Sequence, residues 1–132
     1  MIQGACLCGA IAFEVEEIPG LVFNCHCLRC RKSHGAAFAT QVLSKRSSLK
    51  FSKGLALLCE YESTGSIRTF CSRCGSRLMN YGKNEMDYLS IAISAIINQG
   101  DFRPIGECFV AEKLNFIQLD SSIPHHTELP EL

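Results

Sequence analysis

Nine of the 132 residues are cysteine, about 7% of the chain, and seven of them fall into three tight clusters. The clusters are Cys6-Leu7-Cys8-Gly9, Cys25-His26-Cys27-Leu28-Arg29-Cys30 and Cys71-Ser72-Arg73-Cys74-Gly75. Thiols spaced this closely either bridge one another in an oxidising compartment or hold metal in a reducing one. Disulfides are the poorer reading, because the count is odd and a C-x-C pair makes a bad bridge. The first residues, Met1 to Cys6, show neither a basic nor an apolar stretch of the secretory kind. The expectation is therefore a cytoplasmic protein with reduced, metal-holding thiols.

The spacing says how the ligands divide. A C-x-x-C pair followed by Gly turns the chain tightly and points both sulfurs inward, as in a zinc knuckle. A C-x-C pair on an extended chain puts both side chains on one face. Two closed tetrahedral sites need twice four ligands, and the clusters supply seven. The middle cluster has three thiols within six residues and can converge on one metal alone. That leaves Cys6, Cys8, Cys71 and Cys74 as a complete set of four, and Cys25, Cys27 and Cys30 as an incomplete set of three. Four protein ligands are the structural pattern, and three with an open position are the catalytic one. His26, His34, Cys59, Cys108, His125 and His126 are the candidates for a ligand that would close the second site. Thiolate softness favours Zn²⁺, with iron–sulfur as the lesser alternative.

The rest of the chain reads as a single domain, residues 1–132, mainly β, built of short strands and loops around two zinc sites, with few or no long helices. Ile11, Phe13 and Val15 alternate on one side of a strand. Pro19-Gly20 reads as a turn before an extended Leu21-Val22-Phe23. Residues 36–43 read as a buried strand. Leu57, Cys59 and Tyr61 alternate with Leu58, Glu60 and Glu62, a period-2 pattern that predicts a buried Cys59. Ser63-Thr64-Gly65-Ser66 reads as a hairpin loop into Ile67–Phe70. Residues 88–93 form another extended segment, and residues 107–114 suggest a turn or two of helix. Lys plus Arg equals Asp plus Glu at 13 each. A neutral chain lacks the basic footprint of a nucleic-acid binder and the polybasic motif that docks on anionic membranes. Its longest apolar stretch, Leu89 to Ile97, is far shorter than the roughly 20 residues of a membrane span.

Three segments carry a family likeness: Gly4-Ala-Cys-Leu-Cys-Gly-Ala-Ile-Ala-Phe13, Cys25-His-Cys-Leu-Arg-Cys-Arg-Lys-Ser-His-Gly35 and Phe70-Cys-Ser-Arg-Cys-Gly-Ser-Arg-Leu78. In order and spacing they resemble the glutathione-dependent formaldehyde-activating enzyme family, which includes a centromere protein V branch. The resemblance implies a β-rich fold with two zinc ions. Cys6, Cys8, Cys71 and Cys74 would hold a structural zinc, and Cys25, Cys27 and Cys30 a catalytic one, in agreement with the ligand count. It also implies the family's carbon–sulfur lyase-type reaction, which joins glutathione and formaldehyde to S-(hydroxymethyl)glutathione. Arg29, Arg31 and Lys32 would offset the anionic site or grip the carboxylates of glutathione. Two positions depart from the family pattern: Glu107 stands where relatives commonly carry His, and Leu114-Asn115-Phe116 where they carry Trp. The rival reading is a non-catalytic two-zinc module that binds a thiol ligand or a protein partner.

Overall fold

The computed structural model describes residues 1–83, 87–98 and 100–131. In chain order its strands are β1 (Ile2–Ala5), β2 (Ala12–Val15), β3 (Glu17–Cys25), β4 (Ala39–Lys45), β5 (Lys50–Lys53), β6 (Leu58–Ser63), β7 (Ser66–Cys71), β8 (Arg77–Gly82), β9 (Tyr88–Ala92) and β10 (Gly106–Cys108). Among the described residues there is one α-helix, α1 (Leu28–His34), with short 3₁₀ turns between strands. The mainly β expectation holds. The described residues form two compact units, one of Met1–Pro19 with Val42–Gly100, the other of Gly20–Gln41 with Asp101–Leu132.

In the first unit, β1, β2 and β5 make an antiparallel sheet with Ile2 opposite Val15 and Phe13 opposite Phe51. The period-2 pattern has its expected consequence: Ile11, Phe13 and Val15 are buried while Glu14 is exposed. The same unit carries the antiparallel run β9-β8-β7-β6. Leu89 and Ile91 of β9 and Leu78 and Met79 of β8 are fully buried. Each such aliphatic side chain contributes about 1.5–3 kcal/mol on leaving water. The predicted hairpin joins β6 to β7, pairing Ser63 with Ser66. Thr64 and Gly65 both have positive φ, 41° and 79°, the geometry of the tight turns that match strand twist.

Three local expectations change. β6 ends the strand order, so only one side of it is paired; Cys59 is accordingly half-buried and Tyr61 is 64% exposed. Pro19-Gly20 does not end a strand. β3 runs through it, and Gly20 takes up the irregularity at φ 75°. Residues 107–114 hold no α-helix: β10 fills their start and a 3₁₀ turn, Val110–Glu112, follows.

In the second unit β10 pairs in parallel with β3, in the register Gly106–Phe23, Glu107–Asn24 and Cys108–Cys25. The segment after residue 119 lies beside β10. Glu107 N donates to Pro124 O at 3.0 Å, and His126 N donates to Glu107 O at 2.8 Å. His126 is thus held beside β10 through its backbone.

Gly54 supplies a test of the fold. Its φ is 78°, and a Cβ there would stand 2.1 Å from the backbone oxygen of Ala10. Gly65 has φ 79° with nothing within 4 Å of such a Cβ. Gly65→Ala should cost only the left-handed penalty, about 1–2 kcal/mol. Gly54→Ala should cost clearly more, because a backbone clash cannot be relieved by a rotamer change. Urea unfolding of both variants checks the difference, and equal losses would contradict the packing described.

Candidate metal centres

Four thiols converge in the first unit. Cys6 follows β1, Cys71 ends β7, and Cys74 sits in the turn after it. Cys8 lies in a turn closed by Gly9 N donating to Cys6 O at 3.0 Å. This corrects the extended C-x-C geometry inferred from spacing. The bend is fixed by Leu7 N donating to Ser76 Oγ at 3.0 Å, while the Leu7 side chain is 85% exposed. Facing it, Gly75 N donates to Cys71 O at 2.7 Å. The Ile11 N–H points at Cys6 Sγ at 3.2 Å and the Arg73 N–H at Cys71 Sγ at 3.3 Å. The Ile11 bond favours negative charge on Cys6.

The donor set fits a tetrahedral metal. Four sulfurs about 2.3 Å from a zinc ion stand about 3.8 Å from one another. Cys6 Sγ and Cys8 Sγ are 3.6 Å apart, Cys8 Sγ and Cys71 Sγ 3.9 Å. All four sulfurs lie within 4.8 Å of each other, so this group can hold a metal ion. None of the nine cysteines is in a disulfide.

The second unit gathers three thiols. Cys25 ends β3, Cys27 caps α1 and Cys30 lies in its first turn. Cys27 Sγ accepts the Cys30 N–H at 3.3 Å, so one sulfur both caps the helix and faces the cluster. Gln41 Nε2 approaches Cys30 Sγ at 3.8 Å. Cys25, Cys30 and Ala39 form a buried cluster with Cys27 and Phe109 packed against it. The three sulfurs lie within 4.8 Å of each other. Among the described residues, no further His, Cys, Asp or Glu joins either group. His26, His34, Cys59, Cys108, His125 and His126, the sequence candidates for a closing ligand, stand outside both.

His26 has a different partner. It lies between two clustered cysteines, is buried, and its Nε2 is 3.0 Å from Glu107 Oε1. Glu107 Oε2 also accepts the Asp120 N–H at 3.1 Å. The pairing spans 81 residues, so no local pattern announces it. Its one visible signal is that Glu107 is the sole charged residue from Ile105 to Val110. Arg31, expected to face a ligand, is turned inward. Its Nε donates to His26 O at 3.1 Å and an Nη donates to Glu112 O at 2.9 Å. Arg29 and Lys32 are exposed.

The crowding of sulfur shows in the acidities. Cys25 is pushed far up by Cys27, Cys30 and burial: three adjacent thiols cannot all ionise without a cation between them. Burial also pushes Cys108 up, to about 11, with the charge of Glu107 adding to it. In the first unit burial opposes the Cys6 thiolate, but the Ile11 N–H, Cys8 and Cys71 outweigh it and its pKa falls. Backbone N–H groups of Ser76 and Cys8 bring Cys74 down to about 6. Cys8 rises to about 11, since its own Ala10 N–H bond is outweighed by desolvation and the neighbouring thiols. Burial likewise opposes ionisation of Glu107, but its bonds from His26 and the Asp120 N–H hold it below the usual range.

With this geometry in view, the family assignment follows. The chain belongs to the glutathione-dependent formaldehyde-activating enzyme family, which it matches over residues 1–112. It is similar to a protein of Halomonas elongata named as a candidate glutathione-dependent formaldehyde-activating enzyme, with 32% identity over 85 residues. That match covers 59% of this chain and 54% of the relative, so the chain spans about half the length of this curated relative. The crystal structure of a Rhodobacter sphaeroides protein, a structural-genomics target, has the same fold. Its TM-score is 0.62 at 20% identity, over 94% of this chain and 99% of that one.

The acidities give a direct test on metal-stripped protein. A thiol with a pKa near 6 is largely thiolate at pH 7, whereas one near 11 is protonated there. Iodoacetamide at pH 7 should therefore label Cys74 well ahead of Cys8, although Cys8 is the more exposed. Lowering the pH through 6 should slow the Cys74 reaction. Peptide mass spectrometry reads both rates, and faster labelling of Cys8 would contradict the hydrogen-bonding described.

Proposed function

We propose that the chain binds two zinc ions and activates a small thiol, glutathione, for addition to formaldehyde or a similar aldehyde. Cys6, Cys8, Cys71 and Cys74 hold one ion as a closed structural site. Cys25, Cys27 and Cys30 hold the other with three ligands. The observation that carries this reading is the inequality of the two groups, four sulfurs against three among the described residues. Family membership supports glutathione and formaldehyde as the reactants. A zinc ion bound by three cysteines stabilises a substrate thiolate at neutral pH, where a free thiol of pKa about 8.5 is mostly protonated.

The chain's own residues supply position and charge. The short loop Cys25-His26-Cys27 and the first turn of α1 fix the three sulfurs. The exposed Arg29 and Lys32 lie on the same helix and offer cations to the carboxylates of glutathione. Bond making is balanced without an external reagent. The thiol sulfur bonds the carbonyl carbon, the C=O π bond opens, and the thiol proton ends on the new hydroxyl. The reverse step releases both reactants, which is the sense in which such an enzyme is a carbon–sulfur lyase. Free thiols and the absence of any disulfide among the nine cysteines suit a reducing, cytoplasmic setting. No helix among the described residues is long and apolar enough to cross a membrane.

Cobalt-substituted protein tests the open position. Added glutathione should raise sulfur-to-cobalt charge-transfer absorption, saturably and at one site per chain, and Cys27→Ser should abolish the rise. Cys74→Ser should instead unfold the first unit, because a structural zinc supplies folding free energy. Isotope-labelled formaldehyde followed by NMR should show hydroxymethyl thioether forming faster than in buffer with zinc alone. If saturating glutathione changes neither spectrum nor rate in fully loaded protein, the thiol-activation reading falls and a non-catalytic two-zinc module replaces it.

A further inference from the structure

The geometry points to Glu107 as a positioning residue that sets the Cys25–Cys27–Cys30 centre through His26; the inference rests on the proposed metal site. His26 is the single residue between two of the three sulfurs, so its backbone torsions decide where both Cys25 and Cys27 aim. Almost every group it has is tied down within its own unit. Its N–H donates to Cys108 O at 3.0 Å and its C=O accepts Arg31 Nε at 3.1 Å. Its ring lies 5.1 Å from that of Phe38, and Nε2 meets Glu107 Oε1 at 3.0 Å. The two side chains are 1% and 4% exposed, so water does not substitute for the contact.

Glu107 is itself fixed on both sides. Its backbone N–H and C=O are bonded to Pro124 and His126, and its second carboxylate oxygen accepts the Asp120 N–H. β10 also sets the register, with Glu107 next to Cys108 and Cys108 opposite Cys25. A glutamate held by two backbone bonds and one bond to its carboxylate therefore meets an imidazole whose neighbours in the chain are the metal-holding thiols. Partners that orient ligands in this way commonly change metal affinity by about 10–100-fold when removed. Asp120, Pro124 and His126, which bond Glu107, lie beyond residue 112, where the family match ends. These three residues thus help to hold Glu107 in place.

The test measures zinc loss from each centre in the intact, two-zinc protein, using a chromogenic chelator. The wild type, Glu107→Gln, Glu107→Ala and His26→Phe are compared. Release from the Cys25–Cys27–Cys30 centre should accelerate about tenfold or more in each Glu107 variant. Release from the other centre should stay as in the wild type, which a general loss of stability would not allow. The Glu107→Gln and His26→Phe double variant should lose no more than the worse single one, because both act through one contact. Cobalt spectra should show a distorted three-sulfur band in the same variants. Unchanged release and spectra in Glu107→Gln, with wild-type zinc binding intact, would overturn the inference. Should Glu107→Ala fail to fold, Glu107→Gln decides alone. If the wild type itself binds no second zinc, the proposed function fails first, and the two failures are told apart.

Discussion

Four thiols gathered in one unit, and three in the other, are each an unstable arrangement unless something positive sits among them. Ionised sulfurs repel, and protonated ones give up little by being close. The fold spends its most ordered elements on this arrangement all the same. The ends of β1, β3 and β7 and the first turn of α1 each deliver a sulfur, and backbone N–H groups are aimed at three of them. Sulfur spacings of 3.6 and 3.9 Å match a shared tetrahedral ion. A chain of this size would gain folding free energy from such an ion when it is bound.

The two centres differ in the number of sulfurs they gather and in their surroundings. In the first unit the acidities split, with Cys74 low and Cys8 high, around a set already complete at four. In the second, Cys25 and Cys30 are buried with Ala39, and Cys27 and Phe109 pack against them. Phe109 sits at φ 53° beside that cluster. A bulky residue in the left-handed region is uncommon and is retained where the surroundings fix it.

Much of this was written locally in the sequence. Short cysteine spacings, the alternation of Ile11, Phe13 and Val15, and the Thr64-Gly65 hairpin all report on neighbours a few residues away. The structure follows them. The failures have the same origin. Pro19-Gly20 is a turn signal by composition, but β10 pairs with the far end of β3 and the strand carries through. Cys59 alternates like a buried residue, yet β6 is an edge strand. Arg31 looked like a free cation until His26 O and Glu112 O claimed it. The His26–Glu107 pair joins residues 81 positions apart and had no local pattern to betray it.

The central claim is that one zinc has four protein sulfurs and the other three. X-ray absorption at the zinc edge, on protein loaded with two zinc ions and free of added thiol, counts them. Seven sulfurs shared between two ions give an average near 3.5 per zinc, with an oxygen or nitrogen as the fourth direct ligand of the second ion. Cys108→Ser should leave that average unchanged. An average of four sulfurs that falls in Cys108→Ser would show the second centre closed by a fourth thiol, and would contradict the account.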